Sequence, residues 1–127
     1  MVINILTEQK IEVGHQLVAY LDTLNLSLKA AFWLLDSSTG RWRLILSFPL
    51  LHQRGSRYFY KKIQSHILKY PDRPISLQDI SLVDYTEPII NRLKSTIKIG
   101  PDISRARFVN CQINGIQVDE ALVYRMT

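Results

Sequence analysis

The chain has 127 residues, 46% of them hydrophobic and 21% charged, which fits one ordered domain with one core and excludes a disordered or low-complexity protein. Sixteen lysines and arginines against eleven acids leave a net charge of +5, which points to an anionic partner. The single cysteine, Cys111, excludes an internal disulfide and a cysteine-based zinc site, and no stretch offers the roughly eighteen apolar residues of a membrane span.

From Thr7, which can cap a helix, the apolar positions Ile11, Gly14, Leu17, Val18, Leu21 and Leu24 recur at helical spacing. The period then changes. "LKAAFWLLD" and "RWRLILSFP" read as strands, and the intervening "SSTG" supplies turn residues, so a hairpin is expected. Helical spacing returns in "GSRYFYKKIQSHILKY", with Ser56 as cap, Phe59, Ile63, Ile67 and Tyr70 along one side, and Pro71 as the stop. "ISLQDISLV" alternates at Ile75 and Leu77, which predicts a short strand. A third helix is expected from near Thr86 and Pro88 through Ile90, Leu93 and Ile97 to Gly100 before Pro101. In the last segment, Asn114-Gly115 between two alternating runs marks a two-residue hairpin turn. The order helix, two strands, helix, strand, helix, two strands predicts a single α+β domain over residues 1–127: a mainly antiparallel sheet of about five strands covered by helices.

The register of the first hairpin can be derived. If Asp36 pairs with Arg41, then Leu35 faces Trp42, Trp33 faces Leu44 and Ala31 faces Leu46 on one wholly apolar side. Leu34 with Arg43 and Phe32 with Ile45 lie on the other, and Asp36 and Arg41 form an ion pair at the turn. Tryptophan and arginine therefore point in opposite directions. A nucleic-acid stacking platform needs both on one exposed surface, so Trp33 and Trp42 read as core residues. In the second hairpin, Val109, Cys111, Ile113, Ile116 and Val118 share one face and Asn110, Gln112, Gln117 and Asp119 the other. Nearer the open end the apolar set moves to Ala106, Phe108, Ala121 and Val123, while Arg105, Arg107 and Glu120 take the first face. Either a bulge re-aims the strand near Val109, or the two halves are covered from opposite sides, one by a partner or a second copy.

The charge is localised. Between residues 53 and 73, six cations (Arg54, Arg57, Lys61, Lys62, Lys69 and Arg73) stand against Asp72 alone, so the rest of the chain is neutral. On a helical wheel Arg57, Lys61, Lys62 and Lys69 take the arc opposite the apolar stripe, together with Tyr58. Arg54, Arg57, Tyr58, Lys61, Lys62 and Lys69 are thus a candidate anion or nucleic-acid surface; the plainer reading is a solvated helix face.

Other constellations carry less. Glu12 and His15 have the Glu-x-x-His spacing of di-iron bundles, with Glu8 one turn earlier, but a second such pair is missing, and all three read as the solvated side of the first helix. Ser95 and Lys98 match Ser-x-x-Lys without its companion motifs. A nucleophile among Ser95 and Cys111 would need a base such as His52 or His66 beside it, and mid-strand Cys111 reads as a structural thiol. No dinucleotide fingerprint or Walker loop occurs. No cofactor and no metal are expected.

"AFWLLDSSTGRWRLILSFPLL", followed by Gly55, a helix, "ISLQDISLVD" and a Gly-Pro before the last hairpin, resembles a loose group of small bacterial proteins of unassigned function. Its landmarks are Trp33, Trp42, Ser47, Pro49 and Gly100, which are structural in kind, so the resemblance implies a bacterial, cytoplasmic, single-domain protein and no activity. A cytoplasmic location also suits a lone cysteine and an N-terminus, "MVINILTEQK", without a signal-peptide pattern. The first functional expectation is a non-enzymatic interaction or accessory module acting through protein contact or self-association, with no membrane involved. The alternative is a nucleic-acid binder using the basic second helix. A weaker one is a ligand or enzymatic pocket around Asn110, Gln112 and Asp119.

Overall fold

The computed structural model describes residues 5–49 and 51–127. Helix α1 (Glu8–Thr23) begins at Thr7, whose hydroxyl accepts the Lys10 amide at 3.2 Å as the sequence predicts. Strands β1 (Ala30–Asp36) and β2 (Arg41–Phe48) form the expected hairpin in the expected register. At its turn, however, Asp36 accepts from the Ser38 amide and hydroxyl at 3.0 and 2.6 Å, and Arg41 lies 4.0 Å from Asp79. The predicted Asp36–Arg41 pair is therefore replaced by a local turn bond and a contact to the next loop, because a two-residue reach to Ser38 is shorter than one across the strand ends.

One turn of helix, α2 (Leu51–Arg54), precedes α3 (Ser56–Ile67). Gly55 stands at the N-cap with φ 81°, so Ser56 is the first helical residue and not the cap. The segment "ISLQDISLV" holds the one short strand expected there, in its second half: Leu77–Asp79 is a 3-10 turn, and the strand, β3, is Ile80–Asp84. The Asp79 carboxylate accepts from the Ser76 amide at 3.0 Å, a capping interaction that breaks the apparent alternation. Helix α4 (Pro88–Lys94) starts on proline as expected, but it ends six residues before Gly100. Ile97 still reaches the core from the following loop, where its amide bonds to the Leu93 carbonyl at 2.8 Å. Strands β4 (Ala106–Ile113) and β5 (Ile116–Met126) close on Asn114 and Gly115, both at positive φ.

All five strands form one sheet in the order β3-β2-β1-β5-β4. The sheet is mixed rather than mainly antiparallel, because the crossover through α3 returns β3 parallel to β2. The α+β class holds. Helices α1 and α3 cover one face, burying Trp33, Trp42, Leu44, Leu46, Phe48 and Phe59. Helix α4 covers the other, over Phe32, Ile45, Ala121 and Val123. Both tryptophans belong to the core, while Arg43, on the far side of β2, donates to Ser81 Oγ at 2.8 Å.

The second hairpin resolves the two readings left open. Its offset is constant from Ile113↔Ile116 to Ala106↔Val123, but Asn110, at φ 50°, drops out of the pairing. That kink rotates the strand. Phe108, Cys111, Ile113, Ile116, Val118, Ala121 and Val123 then all join the cluster under α4.

Candidate functional site

The basic face is built on α3. Positive φ at Gly55 lets the chain turn sharply between α2 and α3, and the Arg54 guanidinium comes to lie 5.0 Å from the centre of the Tyr58 ring. Lys62, one turn further on, places Nζ 5.6 Å from the same ring. Tyr58 is half-buried and meets Phe59 edge-on at 5.5 Å, so its π-surface is already engaged by two cations. Arg57 and Lys61 point to solvent, and Lys69 lies over Tyr20 of α1 at 5.5 Å. Within α3, Arg57, Lys61 and Lys62 span about 8 Å of the helix axis, and Lys69 follows in the turn after the helix ends at Ile67.

Among the described residues none of these cations pairs with a carboxylate. The ion pairs among the described residues belong to Arg41, Arg105, Arg107 and Arg125. Of the six candidate residues, Arg54, Tyr58 and Lys62 are in contact, Arg57 and Lys61 lie exposed on the neighbouring stripe of α3, and Lys69 stands apart over Tyr20. Next to them, His66 stacks on Tyr20 with ring centres 4.8 Å apart and meets Tyr70 at 5.5 Å. Its Nδ1 is buried without a hydrogen-bond partner. Burial, and then the charge of Lys69, push the imidazole pKa below its ordinary value, which keeps the ring neutral.

The remaining candidates go to structural work. Glu12 pairs with Arg105 and accepts from Gln16; these two hydrogen bonds hold its carboxyl below the usual range. Arg105 also donates to His15 Nδ1 at 3.3 Å. No metal-sized group of three or more His, Cys, Asp or Glu exists among the described residues. Ser95 Oγ donates to the Arg92 carbonyl at 2.8 Å and accepts from Asn114 at 3.1 Å, so no base activates it. Cys111 is half-buried with Sγ 3.2 Å from the Val109 carbonyl. The His52 side chain lies outside the described residues. Asn110 and Gln112 are exposed, and Gln117 bridges Asn110 and Asp119 at 3.2 and 3.4 Å.

Two buried polar clusters were not read from the sequence. Arg125, 7% exposed, makes a two-pronged bond to Asp22 at 2.8 Å on each oxygen, and donates to the Pro101 carbonyl at 2.8 Å and that of Leu28 at 3.2 Å. Tyr124 accepts from Trp33 Nε1 at 2.9 Å and donates to the Ile11 carbonyl at 2.7 Å. Their one signal was "YRM" directly after the apolar run "ALV".

Clefts open on the surface among the described residues. One of about 410 Å³ lies between α4 and the end of β5, beside Tyr85, Lys94 and Lys98. A second, of about 380 Å³, lies where α3 meets the loop before β3, and a third, of about 370 Å³, flanks Arg125. Among the described residues no helix is long and apolar enough to cross a membrane. The chain matches no protein-family model, no curated protein and no solved structure.

Proposed function

We propose that the protein is a non-enzymatic binding module that holds the phosphate backbone of a nucleic acid along α3. One observation carries this reading: Arg54, Arg57, Lys61, Lys62 and Lys69 lie on α3 and at its two ends and have no acidic partner among the described residues, whereas Arg41, Arg105, Arg107 and Arg125 are neutralised within the fold. A phosphate needs several convergent cations. Each strand of a duplex carries one phosphate per about 3.4 Å of axis, so cations spaced along α3 can meet several of them. Arginine and lysine that are not committed to carboxylates lose little on transfer to phosphate.

The lone Cys111 suits a reducing, cytoplasmic setting for this role. For the first functional expectation, a protein partner or self-association through apolar sheet surface, the last hairpin gives less support than its sequence suggested, because its apolar side chains pack in the cluster under α4. A protein-contact reading now rests on the free outer edge of β4, where Val109 is 58% exposed. Fluorescence anisotropy with a labelled duplex at low salt separates the two. Micromolar binding that Lys61→Glu with Lys62→Glu abolishes is the expected result; no binding, or binding that the variant leaves intact, defeats the nucleic-acid reading.

A further inference from the structure

A phosphate row alone does not distinguish one form of nucleic acid from another, and Tyr58 is not free to do so, since Arg54 and Lys62 already lie over its ring at 5.0 and 5.6 Å. The distinguishing feature is at the far end of the row. Arg57, Lys61, Gln64 and Leu68 follow one another at four-, three- and four-residue steps, hence along one stripe of the helix. That stripe runs from the cations into the cleft of about 380 Å³ between α3 and the loop before β3.

The cleft has the chemistry of a base site. Its floor is apolar, with Ile67 and Ile75 at 5% and 1% exposure, and Leu68 at its rim is 48% exposed. Gln64 and Gln78 bring two amides, each able both to donate and to accept, and Arg73 adds a cation. The side chains of Gln64, Arg73 and Gln78 make no hydrogen bond or ion pair with another described residue, and no carboxylate lines the cleft. Its volume is near the lower end of small-ligand sites, about 300–1,000 Å³, enough for one nucleotide. A base in a duplex is stacked and cannot enter such a cleft without being flipped out, whereas a single strand offers its bases freely.

We infer that the partner is single-stranded, with one unpaired base seated on Ile67 and Ile75 between the Gln64 and Gln78 amides while its flanking phosphates lie along Lys61 and Arg57. This rests on the backbone-binding reading of α3 and adds the base to it. Charge alone would favour the duplex, whose phosphates are denser along the axis, so a preference for single strands is diagnostic of the cleft.

The test is anisotropy at one fixed low salt with three probes: a mixed-sequence single strand, its duplex, and a single strand of abasic sites with the same number of phosphates. Wild type is expected to bind the single strand about tenfold more tightly than either control, the worth of one or two net hydrogen bonds. Gln64→Ala with Gln78→Ala, both exposed and with the fold checked by circular dichroism, is expected to bring the single strand down to the level of the controls while leaving duplex binding unchanged. Equal binding of all three probes by the wild type, or a preference that survives in the variant, overturns the base site and leaves the phosphate row standing. Binding of none of the probes overturns both.

Discussion

Substitution of Gly14 by alanine probes the best-defined buried contact in the molecule. A Cβ built on Gly14 would stand 2.3 Å from the Tyr124 hydroxyl, 3.0 Å from Trp33 Nε1 and 3.1 Å from Tyr124 Cζ. The hydroxyl cannot simply retreat, because it is held by Trp33 at 2.9 Å and by the Ile11 carbonyl at 2.7 Å, and both aromatic side chains are fully buried. Alanine in mid-helix gains up to about 1 kcal/mol in propensity. Against that, overpacking costs about 1–3 kcal/mol, and breaking either bond leaves a buried polar group unsatisfied, about 1–3 kcal/mol more. The net expectation for Gly14→Ala is a loss of about 2–3 kcal/mol, or roughly 10 °C in Tm for a domain of this size. Tyr124→Phe alone should cost about 1–3 kcal/mol, since Trp33 loses its acceptor and Ile11 its donor. In the double variant the atom at 2.3 Å is gone, so the two losses should not add: the pair is expected to cost little more than Tyr124→Phe, a coupling of about 2 kcal/mol. Urea unfolding of the four proteins gives the cycle directly. Losses that add to within about 0.5 kcal/mol would refute the steric argument.

Arg125→Ala removes the partner of Asp22 and strips two backbone carbonyls of a charged donor. Because Asp22 is 38% exposed and can rehydrate, the expected loss is about 2–3 kcal/mol, below the range for a fully buried pair, and Arg125→Lys should recover only part of it, since a single ammonium cannot bind both carboxylate oxygens in the same fork. His66 gives a pH dependence. Its folded pKa is depressed below the ordinary 6.5, so the unfolded chain takes up its proton first as pH falls. Stability should be level above pH 6.5 and decline as pH drops below it, a window above the carboxylate range of Glu12 and Asp36. Urea midpoints between pH 7.5 and about 5 check this; an undiminished decline in His66→Gln would assign it to another group.

Much of this fold is legible in the sequence because local and long-range signals agree. "SSTG" between two alternating runs and Asn114-Gly115 between two others each specify a tight turn, and a tight turn sets the register of everything beyond it. In the segment from Ile75 to Val83 the strand was legible but not its start, because the alternation at Ile75 and Leu77 precedes it; the Ser76–Asp79 capping interaction places the strand later. That β3 lies parallel to β2 depends on where the crossover helix packs, which no local pattern encodes. The switch of faces in the last hairpin was visible as a phase change, but its cause, positive φ at Asn110, needs the backbone. Of the candidate site, the cations of α3 were readable from their spacing. The Arg54–Tyr58–Lys62 stack and the adjoining cleft were not, since the first depends on the turn at Gly55 and the second on a loop 9 to 14 residues downstream of Gln64.

The salt dependence of nucleic-acid binding bears most directly on the phosphate row. If Arg54, Arg57, Lys61, Lys62 and Lys69 each displace a counterion from a duplex, log Kd should rise with log salt with a slope of about 4.5, and the Lys61→Ala, Lys62→Ala variant should show a slope lower by about two. A slope near zero, or one that the two substitutions leave unchanged, would mean that α3 does not hold phosphate.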